Sequence, residues 1–519
     1  MTIPTIDNRT AVVLMGVFAA TLTDAIAGST LSFIRFDMMG DVYASADEAA
    51  IFDYGYTAAK IVGFIFAAWV SSAQPLRPLL YATIAMTVAC ALIITPLPLH
   101  ALAALRIAQG FAGGVAVVSA QTLLLFRFQK SSQPWVQLIF ALGAVVVPAT
   151  ITPFAQGWAR DFYRWELVFA AAVALGLIAS VLLTFATPDL DESRPCAPFD
   201  AWAFVLVAIA AGCATFVFSQ GNRWDWIEDA TVRICIAAAV SASILLAVSG
   251  FRHRLDEWPV RFGAFANPGF AFGFIASFAA GFALLGSSFL IPSFAISILR
   301  LSPTDLGRLL LPSAATFAFT LGLTAFAIRR FRISPVLTVP FGILGFMTSM
   351  WLMGSGTSAS GISELMPAVV LRGAALGFLF LSITLVALAG LAPRFVSSGV
   401  ALFNLGRTIG GLAGVAFLQT LIEHEAIRNR AVLAAHVTPG RPEVIERLQR
   451  AGALLSTHGL DSSEAGRAAA LLLGKQLMRE ATMIAFNKGF MSVAIFFLFA
   501  APVIIGSKIL IGRILSDGR

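Results

Sequence analysis

The stretch Leu105-Arg106-Ile107-Ala108-Gln109-Gly110-Phe111-Ala112-Gly113-Gly114 sets a permanent cation inside a run, His100 to Phe126, that is otherwise almost wholly apolar, small or uncharged. If that run crosses a bilayer, a guanidinium near its centre costs at least ~2.5–3.5 kcal/mol on insertion scales, so it must face a cavity or a partner. The rest of the chain says that it does cross one. Of 519 residues, 58% are hydrophobic and 12% charged, with a mean hydropathy of +0.86. No soluble domain of this length keeps such a balance in water.

Windows of roughly 19 residues mark fourteen spans, among them about 11–34, 51–72, 99–126, 134–157, 362–390, 398–421 and 486–511. Long apolar runs without two-residue alternation predict an all-α polytopic membrane protein and exclude an outer-membrane barrel. The first span is too long for a cleavable signal and contains Asp24.

Basic residues in short loops give the orientation. Arg77, Arg127, Lys130, Arg194, Arg252, Arg254, Arg261, Arg329, Arg330, Arg332 and Arg394 fall on one side, with Lys508, Arg513 and Arg519 in the tail. The opposite loops carry Asp41, Asp47, Glu48, Asp225, Glu228 and Asp229. Both termini are therefore expected in the cytoplasm. The net charge of +7 and pI of 9.6 reflect topology and anionic lipid, and no nucleic acid is implied.

Four cysteines, Cys90, Cys196, Cys213 and Cys235, show no CxxC spacing and predict no disulfide. The five histidines sit at helix ends or in loops, so no haem or metal site is expected. Gly474-Lys475-Gln476 is not a phosphate-binding loop, so no nucleotide or other cofactor is expected. A membrane enzyme acting on lipid would need a nucleophile, base or metal constellation, and none is visible.

Polar segments at Thr187–Pro195 and Phe251–Asn267 divide the spans six, two and six. The expected domains are an N-terminal six-helix bundle (1–187), two linking spans (188–262) and a C-terminal six-helix bundle (263–519) with a long periplasmic loop at about 422–485. Paired six-helix halves are the plan of one class of secondary transporter, with the substrate site near the midplane between them.

Leu105-Arg106-Ile-Ala-Gln109-Gly110, with Gly113 and Gly114 behind it, resembles the arginine motif of the fourth helix of major facilitator superfamily transporters. Thr152-Pro153-Phe-Ala-Gln156-Gly157-Trp158, followed by Trp165 and Phe169, resembles that superfamily's antiporter motif, departing from it at Thr152 and Gln156. Asp24 in Leu22-Thr-Asp-Ala-Ile-Ala-Gly-Ser-Thr30 is similar to the first-helix acid motif of the fourteen-span drug:proton antiporters, the EmrB/QacA type. Leu371-Arg372-Gly373 and Asn404-Leu-Gly-Arg407-Thr-Ile-Gly410-Gly411-Leu-Ala-Gly414 resemble its twelfth and thirteenth helices. One signature is missing: the loop after span two reads Ser71-Ser-Ala-Gln-Pro-Leu-Arg77-Pro, without the usual acid, and Arg329 and Arg330 are the partial counterpart in the second half.

The resemblance implies a multi-pass exporter of the bacterial inner membrane, driven by the proton gradient and working by alternating access. The long segment 422–485, with helix-like stretches at about 442–455 and 463–482, resembles the EmrB subunits of tripartite efflux systems. It implies either a solvated loop or docking of a periplasmic adaptor of the EmrA type that leads to an outer-membrane channel. Residues 35–50, with Met38, Met39 and Tyr43, would add a contact.

Burial favours the neutral form of a carboxyl group, while arginine keeps its charge at any physiological pH. Asp24 is the expected proton carrier, with Arg106 as the fixed charge that couples proton and substrate. Lys60, midway along span two, is too deep to snorkel. It either pairs with Asp24 or Asp53 or receives an anionic group of the substrate. Candidate substrate-binding residues are Lys60, Tyr56, Gln109, Gln137, Arg372 and Arg407; Tyr54 and Gln121 are further candidates for orienting hydrogen bonds. Candidate conformational residues are Gly110, Gly114, Pro153, Gly157, Gly410 and Gly411. Cations outnumber the interior acids Asp24, Asp53 and Glu364, so the expected substrates are anionic or weakly acidic amphipathic compounds. Uptake, export of one specific metabolite, and a non-transporting receptor remain open alternatives.

Overall fold

The computed structural model describes residues 8–29, 38–162, 164–186, 199–252, 260–438 and 440–517. The polar break at Thr187–Pro195, with Arg194, and Cys196, His253, Arg254 and Arg519 lie outside the described residues.

The first half comprises α1 (Asn8–Ser29), α2 (Ala46–Val70), α3 (Leu76–Ile93), α4 (Leu99–Arg127), a fifth span in three pieces, and α7 (Glu166–Ala186). The three pieces are α5 (Gln133–Ala141), a π-helical segment (Leu142–Ile151) and α6 (Thr152–Phe162). A hairpin of α8 (Ala201–Gln220) and α9 (Ala230–Arg252) follows. The second half comprises α10 (Pro268–Ser297), α11 (Pro303–Phe331), α12 (Val339–Gly354), α13 (Ile362–Leu388), α14 (Val396–His436), α15 (Pro442–Thr457) and α16 (Ser462–Asp517). Among the described residues, thirteen helices are long and apolar enough to cross a membrane, and the pair bent by 40° at span five makes the fourteenth.

Local sequence sets where the helices begin. Ser45 and Glu48 exchange hydrogen bonds ahead of α2, a capping box that satisfies first-turn donors. Asn267 caps α10 through its side-chain oxygen, with Pro268 at the first helical position. Ser302, Pro303 and Asp305 do the same for α11. Pro148, which has no N–H to give, sits in the π-helical segment of span five. Thr152 Oγ1 donates to the Val147 carbonyl at 3.1 Å, so a backbone group there stays paired.

The two halves repeat one packing scheme. Within each, the first helix lies against the sixth, the second against the fourth, and the third against the fourth and sixth, as in α1 on α7 and α10 on α16. The halves meet crosswise, the fifth span of each on the second helix of the other: α6 and its π segment on α11, α14 on α2. The hairpin α8–α9 packs on α2 through α8.

Two expectations need correction. The segment 422–485 is not a separate loop: α14 runs 41 residues to His436 and α16 runs 56 residues from Ser462, so both spans continue as helix beyond the bundle and α15 packs on α16. Polar residues after Leu421 end the apolar window without ending the helix, because nothing there breaks backbone hydrogen bonding. Glu364 lies in the first turn of α13, exposed, and does not belong to the interior. Of the outer-segment contacts, Met38 is fully buried, whereas Tyr43 is 95% exposed with φ of 51°.

Candidate transport site

The first-half cluster is built on the α2–α4 contact. A Cβ at Gly110 would stand 2.1 Å from the Tyr56 carbonyl oxygen, and one at Gly114 would stand 2.2 Å from that of Lys60. Only glycine lets the two backbones come this close. The approach brings Tyr56, Lys60 and Arg106 to one level, facing α1. There Asp24 Oδ2 lies 2.7 Å from Lys60 Nζ, Lys60 also reaches Oδ1 at 3.0 Å, and Tyr56 Oη donates to Oδ1 at 2.9 Å. Asp24 fits because Gly113 has no side chain; a Cβ there would lie 1.9 Å from Oδ1.

Arg106 answers the desolvation problem differently. It is 1% exposed, donates from Nη1 to the Ala27 carbonyl and to Gln109 Oε1, each at 2.8 Å, and stands 4.6 Å from the centre of the Tyr56 ring. Its Nε is buried without a partner among the described residues. Gln109 in turn donates to Cys90 Sγ at 3.2 Å. Tyr56 therefore carries a carboxylate on its hydroxyl and a cation on its ring face. Of the two acids open to Lys60, the structure chooses Asp24.

The second half repeats the arginine without the acid. Arg372, on the fourth helix of that half and 1% exposed, donates to Ser287 Oγ at 2.8 Å and Ser288 Oγ at 3.0 Å on α10. Arg407 on α14 donates to Asn404 Oδ1 at 2.5 Å and faces the rings of Phe380 and Phe403 at 5.0 and 5.9 Å. Among the described residues, none of Arg106, Arg372 and Arg407 has a carboxylate within salt-bridge distance.

Of the expected substrate residues, Tyr56, Lys60 and Gln109 join Asp24 and Arg106. Gln137 joins Arg407 instead, through Gln121 and Asn404. Arg372 stands apart on its two serines. Tyr54 turns away to an edge contact with Phe216 of α8. Sequence reasoning missed Ser287, Ser288, Gln133 and Cys90, because isolated small polar residues in apolar helices carry no spacing signal.

The halves touch at both ends. At the end nearer α15, Asp161 accepts from the backbone N–H and hydroxyl of Thr304 at 3.1 and 2.6 Å. A Cβ at Gly157 would lie 2.6 Å from Pro303, so α6 and the start of α11 are in close contact. Pro153 opens that same helix. Gly410 plays the corresponding part in the second half, where a Cβ would lie 2.1 Å from the Phe278 carbonyl oxygen, while one at Gly411 would meet the Leu285 side chain. In the loop after span two, Ser71 and Ser119 hydroxyls pair at 2.8 Å. Arg329 and Arg330 end α11 exposed.

Two six-helix bundles in crosswise contact, with charges buried inside and an added helix pair, have the architecture of a membrane transporter. The model for the Major Facilitator Superfamily matches residues 13–415, and the chain belongs to that family. It is 23% identical to the colistin resistance protein EmrB of Acinetobacter baumannii over 88% of this chain and 87% of that protein. It is 26% identical to the multidrug export protein EmrB of Haemophilus influenzae over 66% and 67%. These relatives bear out the resemblance to the EmrB type. A bacterial homologue of the human lysosomal transporter Spinster, solved in an inward-facing, unoccupied conformation, shares the fold at a TM-score of 0.54 and 13% identity, covering 100% of this chain and 99% of that one.

Proposed function

We propose that the protein is a proton-coupled exporter of amphipathic anions in the bacterial inner membrane, exchanging one substrate for protons by alternating access. The observation that carries the substrate class is the set of three arginines without carboxylate partners among the described residues, two of them in the second half. An uncompensated buried cation is costly, and an anion within reach supplies the missing charge. Export, rather than uptake, is supported by its relatives, which act in multidrug export and colistin resistance.

The chemistry divides between the halves. In the first, a proton and Lys60 compete for the same Asp24 oxygens, since a protonated carboxyl group cannot hold that ion pair. Arg106, pinned by Ala27 and Gln109, keeps a fixed charge beside it. In the second, Arg407 takes the anionic group and Phe380 and Phe403 beside it the apolar body, while Arg372 stays a second buried cation on α13. The separation lets proton and anion alternate through the rocking of the halves instead of through direct contact. The helices that project beyond the bundle around α15 present the surface on which a periplasmic adaptor would dock, with an outer-membrane channel beyond it.

The test uses purified protein in liposomes under an imposed pH gradient, adding decanoate or a decyl ammonium of matched length. Proton release on decanoate, absent in Asp24→Asn, is the expected result. Proton entry together with decanoate would mean cotransport, the uptake alternative. A response to the ammonium alone would overturn the substrate class.

A further inference from the structure

Five side chains cross the interface between the halves in one unbroken series of hydrogen bonds. Arg407 donates to Asn404 Oδ1, Asn404 Nδ2 to Gln121 Oε1 at 3.0 Å, Gln121 Nε2 to Gln137 Oε1 at 3.1 Å, and Gln137 Nε2 to Gln133 Oε1 at 3.3 Å. Gln133 Nε2 ends the series on the carbonyls of Leu124 and Phe128, at 3.1 and 2.9 Å. The four amide residues are 1–2% exposed. Every link points the same way, and its two ends dictate that direction. Arginine can only donate, and a backbone carbonyl can only accept, so no amide in between can flip without breaking a link. Links aligned head to tail polarise one another, and the charge of Arg407 stands at the donor end.

Its place gives the series a job. The link from Asn404 to Gln121 joins α14 to α4, and Gln137 and Gln133 tie it to the corner where α4 turns into α5. That is the end of the bundle opposite the Asp161–Thr304 contact. Asn404 is the joint: its oxygen holds Arg407, and its amide reaches Gln121 while also donating to Val400 of its own helix at 2.9 Å.

We infer that this series is the clamp that shuts one end of the transporter, and that Asn404 is a positioning residue coupling it to anion occupancy of Arg407. The coupling rests on the anion reading above; the clamp does not. With the end shut, Asn404 holds the guanidinium over Phe380, ready for an anion. With the link to Gln121 broken, the Asn404 amide keeps only its bond to Val400 on its own helix, and Arg407 loses its aim. An anion that prefers the aimed guanidinium therefore favours closure to the same degree that closure favours the anion.

Spin labels at Lys130→Cys and Arg394→Cys, both exposed at this end, report its opening in full-length protein whose native cysteines are replaced. Without ligand, Asn404→Leu is expected to raise the ratio of long to short distances by roughly threefold to tenfold, the range for one buried hydrogen bond. Asn404→Asp keeps the acceptor for Arg407 and loses the donor to Gln121, and is expected to open the end likewise. Decanoate should shift the wild type toward the short distance and leave both variants unmoved. Wild-type distances in the variants overturn the clamp, and a decanoate response of equal size in wild type and variants overturns the coupling. If decanoate moves no protons while the variants still open this end, the functional proposal fails and the clamp stands.

Discussion

At the scale of single residues, the interior is organised by what each charge can find. Asp24 and Lys60 find each other, at 4% and 20% side-chain exposure. Removing one partner of a buried pair leaves the other uncompensated, at a cost of about 3–5 kcal/mol. Lys60→Met should therefore unfold at a lower temperature in detergent, and adding Asp24→Asn should recover most of the loss. A double variant no more stable than Lys60→Met alone would mean that the pair is not energetically coupled. The exposed pairs, such as Arg223 with Asp47, contribute little, as surface pairs do.

Among elements, glycine decides which helices become neighbours at the site. In lipid no hydrophobic force favours helix on helix, so close packing and hydrogen bonds carry the association. Gly110→Val must part α2 and α4, because its Cβ would meet the Tyr56 carbonyl, and should cost about 1–3 kcal/mol through overpacking. Gly212→Ala is the control: it has open space around it, so its thermal stability should match or exceed the wild type. Equal stability of the two variants would remove the α2–α4 contact from the account of the site.

For the whole molecule, the transporter core and the projecting helices separate. α15 buries none of its residues, so excising it with a short Gly-Ser bridge should leave thermal stability and decanoate-driven proton movement in liposomes near wild type. Efflux from whole cells should fall if an adaptor docks there. A destabilised excision product would instead make α15 part of the core.

The chain's own order determined that it is a fourteen-span helical membrane protein in two halves, and marked Asp24, Lys60, Arg106, Arg372 and Arg407 as charges that must be accounted for. Those conclusions follow from local physics: transfer of apolar runs into lipid and satisfaction of every backbone group within its own helix. Helix length beyond the membrane was not legible at α14 and α16, because hydropathy falls where the bilayer ends while helical hydrogen bonding continues. Only the tertiary structure decided that Lys60 meets Asp24 and not Asp53, that Arg372 rests on Ser287 and Ser288, and that Asn404 reaches Gln121 across 283 positions of chain. Such pairings depend on how each helix is rotated about its axis. That rotation is set by which glycine faces which carbonyl on a neighbouring helix, a relation no local pattern encodes.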